Sequence, residues 1–200
     1  MALPIAPHAQ QPAEPIHTGL YIDKRSPDER TLAERIAHLD ATLVVRVVGE
    51  RRGIATQIPL ELYGPLVNLP GFDPPPMIHT EYAVEVVEVL KATPIAAAAG
   101  ARTTLILSGG EAVWKGRRMI APDTSPPLVV GDIYVMILYK TRSNDALVAE
   151  DEDIFHVSER RVKAHRATGP WAYTRAVLNQ PLPTAMAAFR AAARDARRVR

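Results

Sequence analysis

Three arginine pairs stand out among the residues able to do chemistry: Arg51-Arg52, Arg117-Arg118 and Arg160-Arg161. Each sits at a predicted turn between strands. Turns of a small β-structure cluster at its rims, so two or three pairs can converge on one anion-binding mouth. Guanidinium groups beside stacking aromatics are what a sequence-tolerant site for single-stranded nucleic acid uses. Trp114, with Tyr63 or Tyr82, is the available platform. The plainer reading of all three pairs is charged turns left in water.

Other constellations are weaker. Glu150-Asp151-Glu152-Asp153 is the densest acidic run. A divalent cation wants several carboxylate oxygens, but a calcium loop alternates its ligands and places a glycine at its sharp turn. The run has neither feature, so it reads as a solvated connection that discourages edge pairing. The six histidines (His8, His17, His38, His79, His156, His165) form no metal-binding spacing. A two-residue turn at Glu159-Arg160 would set Lys163 opposite His156 and leave His156 and His165 as diagonal surface neighbours. None of Ser26, Ser108, Ser125, Ser143 and Ser158 sits in a nucleophile-elbow context, although Gly109-Gly110 after Ser108 offers an anion nest. With no cysteine, thiol catalysis, disulfides and zinc-thiolate sites are excluded. No cofactor fingerprint is present, and the chain reads as a non-enzyme.

Charge distribution tempers the polyanion reading. The chain of 200 residues carries a net charge of +2, yet residues 181–200 hold five arginines and one acid, leaving residues 1–180 at −2. The basic excess belongs to the tail. At 47% hydrophobic residues the chain can bury a real core. No apolar run is long enough for a membrane-spanning helix. Ala2–Pro15 is rich in Ala, Pro and Gln and resembles the surroundings of a signal-peptidase cut without a basic start or an apolar stretch. It reads as a disordered tail, with export as the alternative if the native start lies upstream.

Eighteen prolines and eleven glycines suit short strands and loops better than a bundle. Ser26-Pro27-Asp28-Glu29 predicts a helix start, with Leu32, Ile36 and Leu39 forming its apolar stripe. Thr42–Val48 is a strand buried on both faces. Glu50–Gly53 reads as a turn, with a partner strand at 54–58. Residues 59–76 form a long proline-rich excursion. Met77–Lys91 is a long strand whose apolar phase slips after Val86, the mark of a β-bulge. Strands follow at 102–108, 112–114, 133–140, 146–149, 154–158 and 161–165. Lys115–Arg118 reads as a turn and 143–145 as a hairpin turn. Thr184 caps a basic C-terminal helix whose thin apolar stripe is Met186, Phe189 and Ala193. That stripe packs on the strands, or else meets a membrane or a partner's groove.

Three pieces carry a resemblance: Glu88-Val89-Leu90-Lys91 at a strand end, the Gly109-Gly110 doublet, and Pro127–Leu138 (PLVVGDIYVMIL). Together they resemble uncharacterised bacterial, often exported proteins with an OB-like barrel of the netrin/TIMP-like type, over roughly 42–165. The strand count and turn connections argue for a mainly β chain with antiparallel pairing, and the bulged long strand for closure, in keeping with the resemblance. The chain would be a small antiparallel OB-like barrel of six or seven strands with an N-terminal and a C-terminal helix. Residues 1–25 would be a tail, 26–180 the β domain and 181–200 the basic helix. The expected function is a non-catalytic binding or interaction module with an unknown protein partner. The alternative is single-stranded nucleic-acid or polyanion binding through the rim arginines.

Overall fold

Strand β1 (Ala41–Thr56) is buried on both faces over its first half, as its run of valines predicts. The computed structural model describes residues 31–57, 73–92, 98–122, 125–140, 146–166 and 172–198. In chain order these hold α1 (Leu32–His38), β1, β2 (Met77–Ala92), β3 (Arg102–Ser108), β4 (Gly110–Trp114), β5 (Arg117–Ala121), β6 (Ile133–Lys140), β7 (Leu147–Ser158), β8 (Arg161–Ala164), a 3-10 turn at Ala172–Ala176, and α2 (Leu182–Ala196). The chain is mainly β. The expected tail at 1–25 and the excursion at 59–72 lie outside the described residues.

The main sheet runs β3-β2-β1-β6-β7-β8, and β3 also pairs with β7. The neighbours β1, β2, β3, β7 and β6 therefore form a closed cycle of pairings. An all-antiparallel arrangement was expected. The β3–β7 contact is parallel instead, joining Leu105 to Leu147 and Ile106 to Val148. The reason is geometric: strand direction cannot alternate all the way round an odd cycle, so one contact must be parallel.

Several predicted elements change shape. No turn forms at Glu50–Gly53: β1 continues through it, and both halves of β1 pair with the equally long β2 across a register shift between Arg51 and Ile54. The expected β2 bulge is present. Val86 pairs with Val45 and Glu88 with Val44, so Val87 is the extra residue and stands 42% exposed. Lys115–Arg118 is not one turn. Lys115 and Gly116 alone make it, with φ of 50° and 76°, and Arg117 and Arg118 open β5. The strands expected at 146–149 and 154–158 are a single β7, because Ala149 pairs with Leu138 and Ile154 with Met136, leaving residues 150–153 as a wide bulge.

Two cores result. Leu43, Val45 and Val47 of β1 face inward with Tyr82, Val84, Leu105, Met136 and Ile154. The alternate residues, Val44 of β1 with Val135, Ile137 and Phe155, face α1 and α2. The C-terminal helix docks here: Phe189 is fully buried, edge-on to Phe155 with ring centroids 5.2 Å apart. That occupies its apolar stripe. The helix begins one turn earlier than Thr184 implied, with Pro181 at its N-cap and no side-chain cap.

The expected helix start at Ser26 lies outside the described residues, and α1 as described is capped by Thr31. Thr31 is extended and forms a capping box with Glu34: the Glu34 N–H donates to Thr31 Oγ1 at 3.2 Å, and the Thr31 N–H donates to Glu34 Oε2 at 2.8 Å. Its far end has no glycine cap. The buried Lys91 ammonium donates to the carbonyls of Ile36, Ala37 and Leu39 instead, putting positive charge on the helix C-terminus.

Candidate functional site

By register, all three arginine pairs belong to the same end of the strand cycle. The later half of β1, the start of β2, the end of β3, the start of β6 and the end of β7 meet there. The β4–β5 hairpin sits at this end on a small core of Ile78, Ala112, Met119 and Ala121. Trp114 packs half-buried against that core, which makes it a strut of the hairpin rather than a free stacking platform. Tyr82 is 2% exposed, and its hydroxyl accepts the Leu128 N–H at 3.2 Å.

Gly53 is what lets β1 approach the hairpin. Its φ is +69°, and a Cβ there would lie 2.7 Å from the Glu111 carbonyl oxygen. Both facts call for glycine. The close approach brings Arg51 and Arg52 alongside the hairpin that carries Arg118. The Arg160-Arg161 turn lies across β6 and β7 from them and is tied to the C-terminal segment: Arg161 Nη1 donates to the Asn179 carbonyl at 2.7 Å.

Most of these guanidinium groups already hold an internal acceptor. Arg51 pairs with Glu81 at 2.8 Å and Arg52 with Glu50. Arg118 grips Glu111 fork-on-fork, with both contacts at 2.5 Å. That hydrogen bonding holds the Glu111 carboxyl below its usual range. Among the described residues the rim is a mosaic of opposite charges in which Arg117 and Arg160 have no carboxylate partner.

Beside the hairpin opens a cleft of about 510 Å³, lined by Arg52, Tyr82, Ser108, Glu111, Ile120 and Pro126 among others. The volume falls in the range that takes a small ligand or one or two side chains. Register sets His79 opposite Ser108. The imidazole is fully buried, however. Its Nδ1 faces the Met77 carbonyl at 3.4 Å and its Nε2 lies 3.5 Å from Glu81, with no hydrogen bond to Ser108. His79 is therefore not positioned as the general base of Ser108.

The last hairpin has the expected register, with His156 opposite Lys163. The two histidines are not idle surface groups, because they bracket Tyr134. His156 stacks on the ring at 4.9 Å and His165 meets its edge at 5.6 Å. His156 Nε2 lies 2.8 Å from Asp132 Oδ2, and His165 Nε2 lies 2.6 Å from the Pro126 carbonyl. Both thereby tether the 125–132 segment, part of which walls the cleft.

The acidic run is the largest correction. Glu150 is 3% exposed and Asp153 is fully buried. The β7 bulge turns them toward α1, where Arg35 bonds Glu150 at 2.8 Å and Asp153 through Nε at 3.1 Å. The Tyr173 hydroxyl donates to Asp153 at 3.1 Å, and its ring lies 5.9 Å from the Arg35 guanidinium carbon. Burial pushes the Asp153 carboxyl up to about 6 despite Arg35. Arg35 was legible in principle, since it falls on the same helical face as Leu32, Ile36 and Leu39. Its carboxylate partners lie more than a hundred residues away.

Among the described residues, no group of three or more His, Asp or Glu is placed to hold a metal ion, and no helix is long and apolar enough to cross a membrane. No protein-family model matches the chain, and no curated protein matches it in sequence.

Proposed function

We propose that the chain is a non-catalytic binding module on a small OB-like barrel, with its ligand site at the cleft beside the β4–β5 hairpin. The closed cycle of five neighbouring strands supports the barrel reading. The observation that carries the function is the cleft itself: a partly apolar concavity at the end of the strand cycle where loops and hairpin meet. The internal ion pairs weigh against the polyanion alternative without removing it. Arg51, Arg52 and Arg118 would each have to leave a carboxylate before meeting a phosphate.

Amide chemical-shift mapping of the full chain separates the two readings. A library of small uncharged fragments is expected to cluster its shifts on Tyr82, Ser108, Glu111 and Ile120. A 15-mer of oligodeoxythymidine at low salt is expected to shift nothing. Tight, salt-sensitive oligonucleotide binding that shifts Arg51, Arg52, Arg117 and Arg118 would overturn the proposal in favour of the polyanion site.

A further inference from the structure

The hairpin leaves an open strand edge next to the cleft. A two-residue loop makes Trp114 and Arg117 a hydrogen-bonded pair, and Ala112 with Met119 the next one. The alternate residues, Arg118 between these pairs and Ile120 beyond Met119, aim their backbone N–H and C=O groups away from β4. No described segment pairs with that edge. The edge of β8 is treated differently. There the Val162 N–H donates to the Gln180 carbonyl at 3.2 Å, the Asn179 N–H donates to the Val162 carbonyl at 2.8 Å, and the Leu182 N–H donates to the Arg160 carbonyl at 2.7 Å. The β8 edge is closed by its own chain, and the β5 edge has no backbone partner among the described residues.

The surroundings of the open edge are those of a selective site. Ile120 and Ala121 line the cleft, so a strand laid along β5 runs past its opening. Arg117 is exposed, with no carboxylate among the described residues, whereas Arg118 beside it is held by Glu111. Val113, the cross-strand neighbour of Arg118, is 71% exposed. A second copy of the chain would bring two uncompensated Arg117 guanidinium groups onto one seam, so the charge pattern disfavours self-pairing and favours an acidic partner.

We infer that an extended, acidic segment of a partner protein adds to β5 as a further strand. Its main chain bonds Arg118 and Ile120, a carboxylate meets Arg117, and an apolar side chain enters the cleft. Main-chain bonds supply affinity and the cleft supplies selectivity. The inference rests on the binding-module reading and narrows it to one class of partner.

The test is a display library of random heptapeptides selected on the full chain. Parallel selections use Arg117→Glu and Ile120→Pro, the latter removing an outward N–H that β4 does not use. Enriched sequences are expected to alternate β-branched residues with Asp or Glu. Arg117→Glu should weaken them about tenfold, a lost attraction plus a gained repulsion of about threefold each. On the wild-type chain, a synthetic copy of the best peptide should slow amide exchange at Arg118 and Ile120. N-methylation of its central amide should abolish binding, which reads the main-chain contact even if Ile120→Pro fails to fold. Enrichment of basic peptides, no enrichment, or binding indifferent to N-methylation overturns the inference. So does concentration-dependent dimerisation that protects β5, which would make a second copy the occupant. Fragments clustering in the cleft while no peptide depends on β5 would remove the strand addition and leave the module reading standing.

Discussion

Arg35 and Arg118 each grip a carboxylate, but Arg35 is fully buried on the inner face of α1 while the Arg118 side chain is 61% exposed at the hairpin end. Under the helices the buried charges of Arg35, Lys91, Glu150 and Asp153 are all committed. Arg35 satisfies Glu150 and Asp153, and Lys91 closes α1. At the hairpin end the ion pairs sit in water, where each is worth little and can be exchanged for a ligand's groups. Buried charge in this fold locks one element onto another. Exposed charge is arranged where it can be given up.

The largest effect expected from this contrast is on Arg35. Arg35→Ala strands two buried carboxylates and should cost about 3–5 kcal/mol in urea unfolding. A loss below about 1 kcal/mol would mean that the flank tolerates unpaired charge and that the contrast is wrong.

Asp153 gives the pH signature of the same network. Its carboxyl titrates at about 6 in the folded protein, against about 4 in an unfolded chain. Between those values the folded state holds a proton that the unfolded state has released. Stability from this group is therefore full below about pH 4 and is lost as pH rises through about 6. Asp153→Asn removes the dependence. Urea melts from pH 4 to 7 should show the variant gaining on the parent by on the order of 2 kcal/mol across that window. A constant difference would contradict the assignment.

Gly53→Ala probes the junction between β1 and the hairpin. The strained φ and the clash with Glu111 predict a loss of about 2 kcal/mol. Amide exchange should quicken in β4 and β5 while β6 and β7 keep their protection. Uniform loosening of the whole sheet would show that the hairpin is not a separate, weaker unit.

The smallest effect is a gain. Glu159 and Arg160 hold φ of 51° and 59° in the β7–β8 turn, a conformation that suits Asn-Gly. Replacing the pair by Asn-Gly should raise stability by about 1 kcal/mol in thermal melts. It should leave any ligand binding at the cleft unchanged. Weakened binding would bring Arg160 back into the site.

Much of the strand layout was legible because it depends on local pattern. The valines of β1, the phase slip after Val86 and the Glu159-Arg160 turn all announce themselves in consecutive residues. The β5 strand did not, since its two leading arginines look like part of the turn that Lys115 and Gly116 complete alone. The cleft was legible only in outline, as a rim with charged turns. Its floor is assembled from β1, β2, β3 and the 125–127 segment, and no local window contains them all.

The sequence by itself determined a mainly β chain with a doubly buried first strand, a bulged partner and a helix ready to dock through Phe189. Periodicity and turn chemistry act over a few residues and do not need the rest of the fold. Tertiary structure alone decided what each charge does. Glu150 and Asp153 read as a solvated run until the β7 bulge delivers them to Arg35, and Arg51 and Arg118 read as part of a positive mouth until the facing strands β2 and β4 supply Glu81 and Glu111. A charge has no fixed meaning along the chain, because its energy depends on the burial and the partners that only the folded arrangement brings within a few ångströms.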